Sequence, residues 1–165
     1  MKLPTIEYRA ADISESGKYR YSLERRWEGA NDISRFVLWV MLNPSTADGL
    51  VDDPTIRRCI DFTQRLGMNR MIVVNLYPYR STDPKLLRDL TPEERYGDNG
   101  IVLRRWMRDP TPKIIVAAWG SNRIDAVPIP LLGRMLFSFG RTTKGEPRHP
   151  LYLRADTQLE PCPWP

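Results

Sequence analysis

Histidine occurs once in this chain of 165 residues, at His149, and cysteine twice, at Cys59 and Cys162. One imidazole excludes every mechanism that needs a pair of histidines and every histidine-rich metal site. Two thiols cannot build a disulfide framework or a four-ligand zinc site. A glycine-rich phosphate loop is also absent. The longest unbroken apolar run, residues 36–42, is far shorter than the roughly 20 residues that cross a bilayer. Charges within residues 1–10 leave no apolar stretch of the kind a signal peptide needs. These absences predict a cytoplasmic protein with no membrane association, no metal and no cofactor. Its chemistry would rest on carboxylates, amides, hydroxyls and one imidazole.

What is present is enough for one packed core. Hydrophobic residues make up 41% of the chain and charged residues 27%, a composition that excludes extensive disorder and fibrous architectures. The expected organisation is a single domain over residues 1–165, with a core at about 19–153 and an irregular C-terminal tail at 154–165. The net charge is +5, and 20 of the 25 basic residues are arginine. Arginine's planar fork binds phosphate in a bidentate way that lysine cannot match. The charge therefore suits DNA or a nucleotide as partner, although an arginine-rich codon usage produces the same count. No obligate protein partner is indicated.

Residues 1–18 read as polar and irregular, and residues 19–27 as a strand or hairpin arm. Residues 35–42 and 70–75 are continuous apolar runs of strand length, the pattern of strands buried on both faces. Between them, Asp53 followed by Pro54 marks a helix start and Gly67 a helix end. Strand, helix, strand at this spacing is a βαβ unit. Thr91, Pro92 and Glu94 form a capping box that opens a second helical stretch to about Arg108, interrupted by Gly97 and Gly100. Residues 113–119 form a third buried strand, 124–135 a poor helix restricted by Pro128 and Pro130, and 136–139 a short fourth strand. The fold class predicted is a three-layer α/β/α sandwich around a mostly parallel four-stranded sheet, with an antiparallel strand or hairpin at the N-terminus.

Ligands of open parallel sheets bind beyond the carboxyl ends of the strands. Those ends carry Asn43, Ser45 and Thr46; Asn75, Tyr77, Tyr79 and Arg80; Ser121 and Asn122; and Lys144, Arg148 and His149. Asn43 before Pro44 either makes an Asx turn or holds a water or substrate oxygen. Asn75 either satisfies loop backbone or reads a planar amide edge, since its side chain offers a donor and an acceptor together. His149 is the one group that ordinarily titrates near neutral pH. Asp48 and Asp52 could position a water, or bind Mg²⁺ with substrate phosphates, while Asp53 is accounted for as a helix cap. Tyr77 and Tyr79 either stack on a base or pack the loop. Ser45, Thr46, Arg80, Ser121, Lys144 and Arg148 are candidates for phosphate contact. Cys59 sits on the apolar side of its helix and reads as core.

Three segments, Met41 to Asp48, Asp53 to Arg58, and Val73 to Arg80 with Asp83 and Pro84, resemble a family of small bacterial and phage proteins described as a domain of unknown function. Ala118–Trp119–Gly120 and Arg148 to Tyr152 fit the same family, so the likeness runs from about Arg35 to Leu153. More distantly, the order of motifs is similar to the uracil-DNA glycosylase superfamily. That likeness implies a four-stranded parallel sheet and a first strand ending in an Asn-Pro pair that orients the attacking water, matched by Asn43–Pro44. It implies a strand-terminal asparagine that reads the pyrimidine edge, matched by Asn75. It also implies a strand ending in Trp-Gly, matched by Trp119–Gly120, and a His-Pro whose imidazole faces the base carbonyl, matched by His149–Pro150. Two departures stand out. Ser45 occupies the place of the usual glycine, and the His-Pro-Ser segment that inserts into DNA becomes His149–Pro150–Leu151–Tyr152.

The function expected from this likeness is cleavage of the N-glycosidic bond of a pyrimidine, modified or not, in DNA. The enzyme would flip the base and direct water at the sugar without a metal. Asn43, His149, Asp48 and Asp52 would be catalytic, and Asn75, Tyr77 and Tyr79 would bind the base. Two alternatives stay open: a non-catalytic nucleotide- or nucleic-acid-binding module, and an enzyme acting on free nucleosides or nucleotides.

Overall fold

A computed structural model describes residues 3–163 except 30–33, 112, 127–130 and 132. Seven strands form one mixed sheet: β1 (Ile6–Ile13), β2 (Arg20–Trp27), β3 (Phe36–Met41), β4 (Arg70–Asn75), β5 (Lys113–Ala117), β6 (Phe137–Ser138) and β7 (Glu160–Pro161). Their order across the sheet is β1-β2-β4-β3-β5-β6-β7. Three α-helices lie among the described residues: α1 (Pro54–Arg65), α2 (Pro92–Tyr96) and α3 (Asn99–Arg108).

This corrects the expected mostly parallel four-stranded sheet. The pairs β3/β4, β3/β5 and β5/β6 are parallel, but β1/β2, β2/β4 and β6/β7 are antiparallel. The N-terminal segment is no irregular lead-in, because β1 pairs along its length with β2, which in turn pairs with β4. β1 escaped the sequence reading because it is an edge strand with no face fully buried, so it carries no alternation of apolar and polar residues. β6 falls within the short strand expected at 136–139, whereas β7, two residues long, leaves no pattern and gives the C-terminal tail a place at the far edge. No α-helix lies among the described residues between β5 and β6. Part of the helix expected at 124–135 falls at 127–130 and 132, outside the described residues.

The central strands are apolar throughout because helices cover both faces. Val37, Trp39 and Met41 of β3 pack with Ile56, Cys59, Ile60 and Phe62 of α1 on one side. Phe36, Leu38 and Val40 pack with Leu103 and Met107 of α3 on the other. Asp53 caps α1 through its side chain, with Pro54 in the first turn. Gly67, at φ +70°, takes the left-handed conformation just past the helix end. The Thr91–Glu94 capping box is present and opens α2.

From β3 the chain runs through α1 to β4 on one side, then through α2 and α3 to β5 on the other. The strand order thus reverses at β3, and a crevice opens at such a switch point, beyond the carboxyl ends of the strands.

Candidate functional site

A cavity of about 560 Å3 occupies that crevice, a volume within the range of small-molecule sites. Asn43, Ser45 and Thr46 after β3 line it, as do Asn75 at the end of β4 and Ser121 after β5. Arg148 and His149 reach it from the segment after β6, and Asp53, Thr55 and Ile56 from the start of α1.

β3 and β4 position the two asparagines. Their parallel register puts Met41 beside Asn75 and continues into the loops, where Leu76 N–H donates to Met41 O (2.8 Å) and Tyr77 N–H to Leu42 O (2.9 Å). Asn99, at the start of α3, donates its Nδ2 to the carbonyls of Asn75 (2.8 Å) and Leu76 (2.9 Å), fixing the strand end from the other side. The Asn75 side chain is 1% exposed, and neither its Oδ1 nor its Nδ2 has a hydrogen-bond partner. Buried polar groups are nearly always satisfied, so this amide is set apart from the rest of the core.

Asn43 combines the turn role with an open acceptor. Its Nδ2 donates to Pro44 O (3.1 Å) and Ser81 O (2.8 Å), tying together the loops after β3 and β4. Its Oδ1 takes no donor among the described residues and remains able to accept from a water or substrate.

His149 caps a short 3-10 turn, Pro150–Tyr152, accepting the Leu151 N–H at Nδ1 (3.3 Å). That bond assigns the proton of the neutral ring to Nε2. Burial lowers the imidazole pKa below its ordinary value, and the Asp53 carboxylate opposes that shift. Neighbouring segments hold the loop: Gly120 N–H donates to Pro147 O (2.9 Å), Arg148 N–H to Gly140 O (3.0 Å), and Arg58 of α1 to Leu153 O (2.7 Å). The Tyr152 ring lies against the imidazole with centroids 5.7 Å apart and is 81% exposed at the cavity rim.

Several expected site residues lie outside the cavity, most with their side chains engaged elsewhere. Asp48 folds over its own loop, accepting the N–H groups of Leu50 (2.7 Å) and Val51 (2.8 Å), and those bonds lower its pKa. Asp52 is bound by Arg9 (2.6 Å) and Arg25 (2.8 Å), fastening the β1–β2 hairpin to the loop before α1. Tyr77 is buried and its hydroxyl accepts the N–H groups of Ile124 (3.0 Å) and Asp125 (3.1 Å). Tyr79 packs edge-on against Tyr19. Arg80 donates to Gly17 O (3.2 Å), and Lys144 stands exposed in the turn after β6.

Conversely, two charged residues in the cavity carried no functional signal in the sequence. Asp53 spends Oδ1 on the Ile56 N–H (2.8 Å), its cap bond, and its Oδ2 has no protein donor among the described residues. The cap motif was visible, but nothing local showed that the same carboxylate faces a cavity. Arg20, the first residue of β2, is 2% exposed and also lines the cavity. The antiparallel register Leu23↔Val73 brings the start of β2 level with the end of β4, a placement that requires the sheet order. Thr142 lines the cavity as well, with its Oγ1 buried and unpartnered. Among the described residues no cluster of three or more His, Cys, Asp or Glu could hold a metal ion. None of the described helices is long and apolar enough to cross a membrane.

The molecule is thus an α/β protein with a cavity at the switch point of its sheet, where amides, one imidazole, one carboxylate and the guanidiniums of Arg20 and Arg148 stand among apolar side chains. Residues 20–151 match the family described as protein of unknown function (DUF1643), and the chain belongs to that family. No curated protein and no solved structure matches it.

Proposed function

We propose that the cavity receives a pyrimidine base flipped out of DNA and that the chain hydrolyses the N-glycosidic bond of that nucleotide. The observation that carries this reading is Asn75, a buried amide with both its donor and its acceptor unpaired. A pyrimidine edge with a carbonyl beside a ring N–H complements that pair, the base carbonyl accepting from Nδ2 and the N–H donating to Oδ1. Satisfying both atoms in one contact compensates the cost of their desolvation.

The other groups fit the same reaction. As the bond between the sugar C1′ and the base nitrogen breaks, its electron pair moves onto the base and accumulates on the neighbouring carbonyl oxygen. A neutral His149 donating from Nε2 stabilises that oxygen. The sugar becomes oxocarbenium-like, and a water held by Asn43 Oδ1 and Asp53 Oδ2 attacks C1′ while Asp53 takes its proton. Asp53 replaces Asp48 and Asp52 in this role because their carboxylates are occupied away from the cavity. Arg148, Ser45, Thr46 and Ser121 line the cavity in positions suited to phosphates of the strand, and exposed Tyr152 offers a stacking face at the rim.

The test is release of the base. Single- and double-stranded DNA carrying uracil, mismatches or 5-substituted pyrimidines is incubated with the protein, and abasic sites are read by alkali cleavage. Alkali-labile sites are expected for wild type, with the rate reduced about 10²–10³-fold by His149→Ala or Asn75→Ala, the range for loss of a single oriented donor. Folded wild-type protein that produces no abasic site on any substrate contradicts the proposal. If it still binds DNA, the non-catalytic module is the better account.

A further inference from the structure

Three arginines are buried among the described residues, and two of them are satisfied. Arg25 donates to Asp52 Oδ1 (2.8 Å) and to the carbonyls of Ala10 (3.3 Å), Glu24 (2.8 Å) and Asp48 (2.6 Å). Arg95 donates to Asp125 Oδ2 (2.9 Å) and to the carbonyls of Leu87 (2.8 Å) and Leu90 (2.9 Å). Arg20 is the exception. Its Nη1 donates to Ala47 O (2.8 Å), and its Nε is buried with no acceptor. It makes no ion pair within 4.0 Å among the described residues.

A guanidinium taken out of water ordinarily meets a carboxylate or a full set of acceptors, because an unpaired buried charge is costly. Arg20 instead lines the cavity that holds Asn75. Burial pushes its pKa down to about 10, against the opposing pull of Asp53. At that value it is still a cation at neutral pH. Two further features of the same cavity favour negative charge. The N-terminus of α1, a helix of 12 residues, opens onto it through Pro54 and Thr55, bringing its partial positive charge. Thr142 contributes a buried hydroxyl without a partner.

We propose that Arg20 anchors an anion subsite, and that the ligand of this cavity carries a carboxylate or phosphoryl group which Arg20 binds through its fork. The inference rests on reading the cavity as a base pocket and adds what that base or its nucleotide bears. Asp53 shares the cavity and repels an anion, so the subsite works against one fixed negative charge, and neutralising that charge strengthens it.

The experiment is isothermal titration calorimetry at low salt on wild type, Arg20→Gln and Asp53→Asn. The probes are two neutral–anionic pairs, uracil with 5-carboxyuracil and uridine with uridine 5′-monophosphate, together with inorganic phosphate. In at least one pair, wild type is expected to bind the anionic member about 10- to 100-fold tighter than its neutral partner, the range for a hydrogen bond to a charged group. The pair that shows the preference tells whether the anion sits on the base or on the sugar. Arg20→Gln abolishes the preference and Asp53→Asn increases it. Equal affinity within both pairs overturns the proposal, as does a folded Arg20→Gln that keeps the preference. Should Arg20→Gln fail to fold, an Asp53→Asn variant with no gain overturns it. Binding of phosphate alone, with either dependence, retains the subsite and defeats the base-pocket reading. Absence of all binding defeats both.

Discussion

A buried amide atom without a partner costs about 1–3 kcal/mol, and Asn75 presents two in one side chain that is 1% exposed. Leucine has similar size and no polar atom. Asn75→Leu is therefore expected to raise the melting temperature of the unliganded protein, by about 2–4 °C for each kcal/mol regained in a chain of this length, while removing base binding. Thermal unfolding followed by circular dichroism checks this, and a variant that melts lower than wild type would mean that the amide already serves the fold. His149 makes a second residue-scale prediction. Burial holds its folded pKa below the unfolded value, so the unfolded chain takes up the proton first. Stability from this group is complete above about pH 6.5 and is lost as pH falls through the folded pKa. With one histidine in the chain, a single imidazole signal followed by NMR should titrate with a midpoint below 6.5. Asn43, Asn75 and His149 could be picked out from sequence because each ends or follows a recognisable buried strand. Arg20 could not, since its relevance comes from a strand pairing that no local pattern encodes.

At the scale of elements, α1 is both scaffold and wall. Its apolar side, Ile56, Cys59 and Ile60, packs on β3, and its capping residue faces the cavity. Capping and chemistry at Asp53 separate by substitution. Asp53→Ala loses the bond to Ile56 N–H and should cost about 1 kcal/mol of stability. Asp53→Asn keeps a good cap and should melt close to wild type, yet both variants should be slowed in base release. Denaturation and abasic-site formation measured side by side test the split, and an Asp53→Asn variant with undiminished release removes Asp53 from the chemistry. α1, β3, β4 and the α2 capping box were legible because their signals are local: a cap, a proline, a continuous apolar run. β1 was not, because an edge strand with no buried residue gains its order from pairing with β2 rather than from burying a face. Asp52 shows the same limit, since its partners Arg9 and Arg25 come from that hairpin.

For the whole molecule, the parallel set β4-β3-β5-β6 supplies the crevice, and the antiparallel additions supply what the crevice lacks. β2 carries Arg20 to its edge, and the β1–β2 hairpin holds Asp52 away from it. The strand ends where a ligand belongs are legible as local apolar runs, whereas the mixed seven-stranded order, and with it the buried cation, depends on pairings between distant segments. The proposed function stands or falls with Asn75 as the reader of a base edge. The most direct measurement is the side-chain amide signal of Asn75 in 15N-labelled protein, assigned by its loss in Asn75→Leu, during titration with uracil. Both proton signals of that NH2 group are expected to shift and to saturate together with the His149 ring signal. If uracil binds and shifts other cavity residues while the Asn75 pair stays in place, Asn75 does not read the base and the assignment of this cavity is wrong.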